Sequence, residues 1–122
     1  MDRFSTWVER YLVAWRSNDP EEIGSLFSDD ALYFTLPARQ PWRGRATIVE
    51  EWLARKDEPG DWEFSYEVLA RDGDLGIVRG VTDYKSGLND SGKEGGTFDN
   101  LWEVTLDSDD RATRFVEWWI QR

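Results

Sequence analysis

The 122-residue chain contains no cysteine and no histidine. Without cysteine there is no disulfide framework, no thiol nucleophile and no zinc finger. Without histidine the commonest general base near neutral pH is missing, as is the commonest metal ligand. A transition-metal site would have to be built from carboxylates alone, and no cluster of them suggests one, so neither a metal nor another cofactor is expected. Long hydrophobic runs are also lacking, so no segment is expected to span a membrane. Basic residues are few: 15 Lys and Arg face 25 Asp and Glu, for a net charge of −10. The acids are spread along the chain rather than gathered in a tail. That balance argues against a phosphate-tracking nucleic-acid surface and against adhesion to anionic lipid. Met1-Asp2-Arg3-Phe4 carries no hydrophobic leader core, which makes a cytoplasmic address the expectation. The length suits one domain over 1–122, large enough to bury a single core. What the chain has in quantity is aromatic side chains, 15% of residues with eight tryptophans.

Their spacing orders the first half. Phe4, Trp7, Val8, Tyr11, Leu12 and Trp15 recur at three- and four-residue intervals, one apolar stripe on an amphipathic helix that Ser17-Asn18 breaks. Asp19-Pro20-Glu21-Glu22 reads as an N-cap, a proline at the first helical position and two acids facing the helix dipole. Ile23, Leu26 and Phe27 form the buried side of this short second helix. Ala31 to Pro37 reads as a strand and Arg39 to Gly44 as a loop. Ile48, Val49, Trp52 and Leu53 mark a third helix over Arg45–Lys56, stopped by Pro59-Gly60. Beyond Gly60 the period becomes two. Trp62, Phe64, Tyr66 and Val68 alternate with polar residues as a half-buried strand, and Asp72-Gly73 signals a hairpin. Three more strands follow, over Leu75–Lys85, Thr97–Leu106 and Ala112–Gln121. A long polar loop, Ser86–Gly96, separates the first two, and an acidic turn, Asp107–Asp110, the last two. Helices first and an antiparallel meander after them define an α+β domain with helices on one face of a curved sheet.

Several motifs imitate chemistry. Gly87 to Lys93 has the GxxxxGK spacing of a phosphate-binding loop. Glu94 stands where the magnesium-binding Ser or Thr belongs, and the segment joins two strands instead of opening a helix, so a hairpin loop is the better reading. Asp107-Ser108-Asp109-Asp110 lacks the glycine and bidentate glutamate of a calcium loop. Asn89-Asp90-Ser91 is a glycosylation sequon without a secretory context.

Tyr11-Leu12-Val13-Ala14-Trp15 before Asp19-Pro20, then Leu26-Phe27-Ser28-Asp29-Asp30-Ala31, then Trp42-Arg43-Gly44-Arg45-Ala46-Thr47-Ile48, resembles the nuclear transport factor 2-like superfamily, and within it the SnoaL-like proteins. Phe98-Asp99-Asn100-Leu101-Trp102 and Phe115-Val116-Glu117-Trp118-Trp119 agree with the resemblance, which runs over nearly the whole chain. It implies a cone in which three N-terminal helices close a strongly curved antiparallel sheet around a pocket, and a homodimer formed through the sheet's outer face. It also implies a small, largely apolar organic ligand. Members include ketosteroid isomerase, polyketide cyclases, epoxide hydrolases, dehydratases and non-catalytic binders. Aligned with ketosteroid isomerase, the oxyanion tyrosine falls on Tyr11, the aspartate base on Thr35 and the protonated acid on Trp102. The base is therefore missing, and that mechanism is not expected. The epoxide hydrolase set has its nearest counterparts in Arg79 and Asp83, which strand parity points away from the pocket.

The same alignment turns Tyr33, Thr35, Val78, Gly80, Thr82, Tyr84, Asn100, Trp102, Val104, Leu106, Phe115, Glu117 and Trp119 inward from the strands. Tyr11, Trp15 and Trp52 join them from the helices. Of these, Trp15, Tyr33, Thr35, Trp52, Thr82, Tyr84, Asn100, Trp102, Phe115 and Trp119 are the candidate ligand contacts, with Glu117 and Tyr11 as candidate catalytic groups. A carboxyl in an aromatic wall loses hydration in its charged form, so the Glu117 pKa should rise, as suits a general acid or base. Tyr11 or Tyr84 would then steady a developing oxyanion. The competing reading makes Glu117 one half of a buried ion pair with Arg39 or Arg43. It belongs to a non-catalytic ligand carrier or dimerisation module of the same fold.

Overall fold

A computed structural model describes residues 2–85 and 96–122. The GxxxxGK stretch, the sequon and nearly all of the Ser86–Gly96 loop lie outside the described residues. The first helix, α1 (Arg3–Ser17), starts where the Asp2 carboxylate accepts the backbone N–H groups of Phe4 and Ser5, satisfying donors the helix itself cannot. It ends at Asn18, whose left-handed backbone (φ 51°) returns an N–H to the Ala14 carbonyl. Helix α2 (Pro20–Ser25) is capped by Asp19 with proline in its first turn, as read from the sequence. Helix α3 (Arg45–Ala54) buries Ile48 and Trp52.

Among the described residues the six strands are β1 (Phe27–Phe34), β2 (Trp42–Arg43), β3 (Trp62–Asp72), β4 (Leu75–Tyr84), β5 (Thr97–Leu106) and β6 (Ala112–Gln121). They form one curved, unclosed sheet in the order β2-β1-β6-β5-β4-β3. Several details differ from the sequence expectation. Leu26 caps α2 and Phe27 already belongs to a strand, because tertiary bonds claim this backbone. The Leu26 carbonyl accepts from both the Trp7 indole (3.0 Å) and the Ala112 N–H (2.7 Å), and the Phe27 carbonyl accepts from Arg45. The strand stops at Phe34 rather than at Pro37, where a turn closed by Arg39 N–H to the Leu36 carbonyl takes over. Thr35 thus leaves the sheet. Finally, the sheet is mixed, since β1 runs parallel to β6 while every other pairing is antiparallel. The two-residue β2, read as loop, pairs with Leu32 and Tyr33; two residues are too short to show any alternation.

The helices cover the inner face of the sheet and fill most of it. Trp7, Tyr11, Phe27, Trp102 and Phe115 pack ring against ring with centroid separations of 4.7 to 6.1 Å. Gly76 and Gly80 on β4 make the close approach of two further rings possible. A Cβ would stand 2.4 Å from Phe4 Cδ1 at the first and 2.3 Å from Phe64 Cζ at the second, so only glycine fits without repacking. This packing leaves open the end of the inner face nearest Tyr84, Asn100 and Trp119. Among the described residues no helix is long and apolar enough to cross a membrane.

Candidate functional site

At that open end lies a cavity of about 210 Å³, walled by Thr82 and Tyr84 from β4, Phe98 and Asn100 from β5, and Glu117 and Trp119 from β6. Trp15 from the last turn of α1 and Asp57 from the loop after α3 complete it. Register explains the strand contributions. Asn100 faces Trp119 and Trp102 faces Glu117 across the β5–β6 ladder, and alternate residues point inward.

Glu117 is held by a relay. The Thr82 hydroxyl donates to Asn100 Oδ1 (2.8 Å), which orients the amide so that Nδ2 donates to Glu117 Oε2 (2.9 Å). Trp102 Nε1 donates to the same oxygen (2.8 Å). Oε2 is therefore saturated, while Oε1 has no hydrogen-bond partner among the described residues. No Lys or Arg of those residues pairs with this carboxylate. Arg39, one of the two cations the sequence offered, reaches Thr35 Oγ1 instead (3.4 Å). Burial raises the Glu117 pKa above its ordinary value of 4.5; the Trp102 and Asn100 hydrogen bonds pull it partly back, and the Asp57 charge adds to the rise.

Asp57 escaped the sequence analysis. Its Oδ2 accepts from Trp15 Nε1 (3.0 Å) and from the Tyr84 hydroxyl (3.2 Å). Its carbonyl accepts from Asn18 Nδ2 (3.1 Å), whose own Oδ1 accepts from Trp52 Nε1 (3.1 Å). The residue that ends α1 thus also fixes the loop bearing the second carboxylate. Burial, followed by the Asp57 charge and hydrogen bond, drives the Tyr84 phenol pKa well up, which keeps its proton in place. Phe98 was not among the expected contacts; its parity with Asn100 is the signal that marks it. No such signal exists for Asp57, one acid among several in a polar loop.

The expected residues separate into three groups. Trp15, Thr82, Tyr84, Asn100, Glu117 and Trp119 share the main cavity. Tyr33 and Trp52 line a second, smaller one of about 100 Å³, with Trp42, Arg55 and Lys56; Trp15 and Asp57 border both. Tyr11, Trp102 and Phe115 lie buried behind these walls, and the Tyr11 and Tyr33 hydroxyls bond to each other (2.7 Å). Burial raises both phenol pKa values, Tyr11 and Tyr33 alike. Thr35 borders neither cavity.

A helix-covered curved sheet with an aromatic, acid-bearing inner cavity is found together with a sequence match: the profile of the SnoaL-like domain fits residues 8–115. The chain belongs to the SnoaL-like domain family. Solved structures agree on the SnoaL-like fold. A SnoaL-like protein of Shewanella putrefaciens, proposed to be a polyketide cyclase, superposes with a TM-score of 0.77 at 17% identity, over 98% of this chain and 80% of that one. A ketosteroid isomerase-like protein of Erwinia carotovora follows at 0.68 and 19% identity, over 97% and 94%. An LEH-like epoxide hydrolase of M. tuberculosis gives 0.68 at 16% identity, over 94% and 80%. These identities make the likeness one of fold. No curated protein matches the sequence. The SnoaL-like fold therefore carries cyclase, isomerase-like and hydrolase descriptions on one frame, and the side chains in the cavity must distinguish among them.

Proposed function

We propose that the chain binds a small, largely apolar organic molecule in the Glu117 cavity and that Glu117 transfers a proton to or from it. Size supports a ligand of about one ring with a few substituents, since an apolar cavity of about 150 Å³ already accepts benzene and this one measures about 210 Å³. The observation that carries the reading is the asymmetry of Glu117. Trp102 and Asn100 anchor one oxygen, and the other is left for a ligand. A carboxyl with a raised pKa is closer to the acidity that general acid–base catalysis favours. Isomerisation, cyclisation, dehydration and hydrolysis all fit a proton carried by side chains alone. A ligand carrier would use the same cavity without turnover.

Trp15 and Trp119 line the cavity, so tryptophan fluorescence reports occupancy. Titration with small cyclic ketones, lactones and phenols is expected to give a saturable, single-site change for at least one compound class. A flat response across the panel would overturn the reading.

The outer face of β6 supports a second copy of the chain as the protein partner. Trp118 and Ile120 stand 47% and 72% exposed there, although large apolar side chains side by side on a surface are more often covered. Sedimentation equilibrium is expected to return twice the 14.3 kDa chain mass. Ile120→Lys is expected to shift the protein to monomer, and a monomeric wild type would remove the proposal.

A further inference from the structure

The chemistry of the cavity narrows its ligand further, on the premise that the cavity is the ligand site proposed above. The charged side chains lining it among the described residues, Glu117 and Asp57, are both acids. Three rings from adjacent strands stand nearly perpendicular in turn. Tyr84 meets Phe98 at 5.7 Å and 87°, and Phe98 meets Trp119 at 5.7 Å and 76°. An aromatic corner with a carboxylate at its base stabilises positive charge twice over, through the negative ring faces and through direct attraction. An anionic ligand would meet the reverse. Four wall residues already donate to wall acceptors: Thr82 to Asn100, Asn100 to Glu117, and Tyr84 and Trp15 to Asp57. A cation would supply the countercharge that no Lys or Arg of the described residues gives Glu117.

We infer that the cavity selects an organic cation, a protonated or quaternary amine on a single ring or an apolar body of similar size. The nitrogen sits against Glu117 inside the Tyr84–Phe98–Trp119 corner, and the apolar body lies along Trp15.

The test compares phenyltrimethylammonium with tert-butylbenzene, which has the same shape and no charge. Both are titrated by calorimetry and by tryptophan fluorescence in about 0.3 M salt, which screens the general attraction of a chain of net charge −10 for any cation. The cation is expected to bind one site about tenfold more tightly than the neutral compound. Glu117→Gln is expected to remove most of that preference with little change in tert-butylbenzene affinity. Phe98→Leu, which opens the corner without touching a carboxylate, should reduce the preference in the same direction. Equal binding of the two compounds, or a preference that survives Glu117→Gln, would overturn the cationic class and leave the cavity proposal standing. Multiple weak cation sites with no fluorescence change would do the same, since they report surface charge alone. Failure of both compounds and of the neutral panel would overturn the two proposals together.

Discussion

Glu117→Gln is expected to lower turnover of any cavity ligand the protein converts by about 10²–10⁴-fold, the usual contribution of a positioned acid or base, with little change in the Kd of a neutral ligand and about tenfold weaker binding of a cationic one. Glutamine keeps an oxygen for Trp102 Nε1 and Asn100 Nδ2, so the wall it belongs to stays bonded. It cannot exchange a proton. Turnover at the wild-type rate would remove Glu117 from the chemistry.

The same substitution is expected to change stability in the opposite sense. Because the folded pKa of Glu117 lies above its ordinary value of 4.5, the fold favours the neutral carboxyl. The native state has its full stability below that ordinary value and loses part of it as pH rises through the folded pKa. Glutamine carries no charge to penalise. Urea midpoints should therefore be higher for Glu117→Gln than for wild type at about pH 8 and should converge at about pH 4. A gap independent of pH would mean that ionisation of Glu117 contributes nothing to the difference. Gain of stability with loss of turnover is the signature of a group kept for function.

Trp7→Ala is expected to destabilise the fold by about 3–5 kcal/mol, the range for removing a large buried aromatic side chain. Trp7 is fully buried and contacts the rings of Tyr11, Phe27 and Phe115. Its indole also donates to the Leu26 carbonyl, which the Ala112 N–H continues to satisfy when the indole is gone. The loss is therefore mainly of packing and of filled volume. Against a total stability of about 5–15 kcal/mol for a domain, the fall in melting temperature should be large, about 10–20 °C. Val13→Ala, at a half-exposed position of α1 away from the β6 face, is the control with a far smaller effect. Similar shifts for the two variants would contradict the core described for Trp7.

The parts of the fold that repeat were legible in the sequence. The stripe from Phe4 to Trp15 and the alternations around Trp62 and Trp102 each carry many residues with one period, and the structure has the matching elements. The misreadings fall where local pattern yields to tertiary bonding. Phe27 has a helix-like spacing from Ile23 but its carbonyl is taken by Arg45, and the parallel β1–β6 pair joins segments far apart in the chain. The cavity divides along the same line. Glu117, Asn100, Tyr84 and Trp119 lie on strands whose parity assigns their direction. Asp57 lies on a loop held by hydrogen bonds from Asn18, Trp15 and Tyr84, contacts between distant segments that no local spacing encodes.

The strand order has a consequence for how the molecule is made. Strand β6 is the last of the six to be synthesised yet occupies a central place, between β1 and β5. Until it arrives, both neighbours present open edges, the exposed backbone that favours wrong pairing. The hairpin pairs β3–β4 and β4–β5 can form early, whereas the β1–β6 ladder must close a loop spanning most of the chain, a slow step by topology. Glu117 arrives on that same strand. The cavity wall and the completed sheet therefore depend on the same strand, and a chain whose β6 has not docked lacks the Glu117 carboxylate at its site.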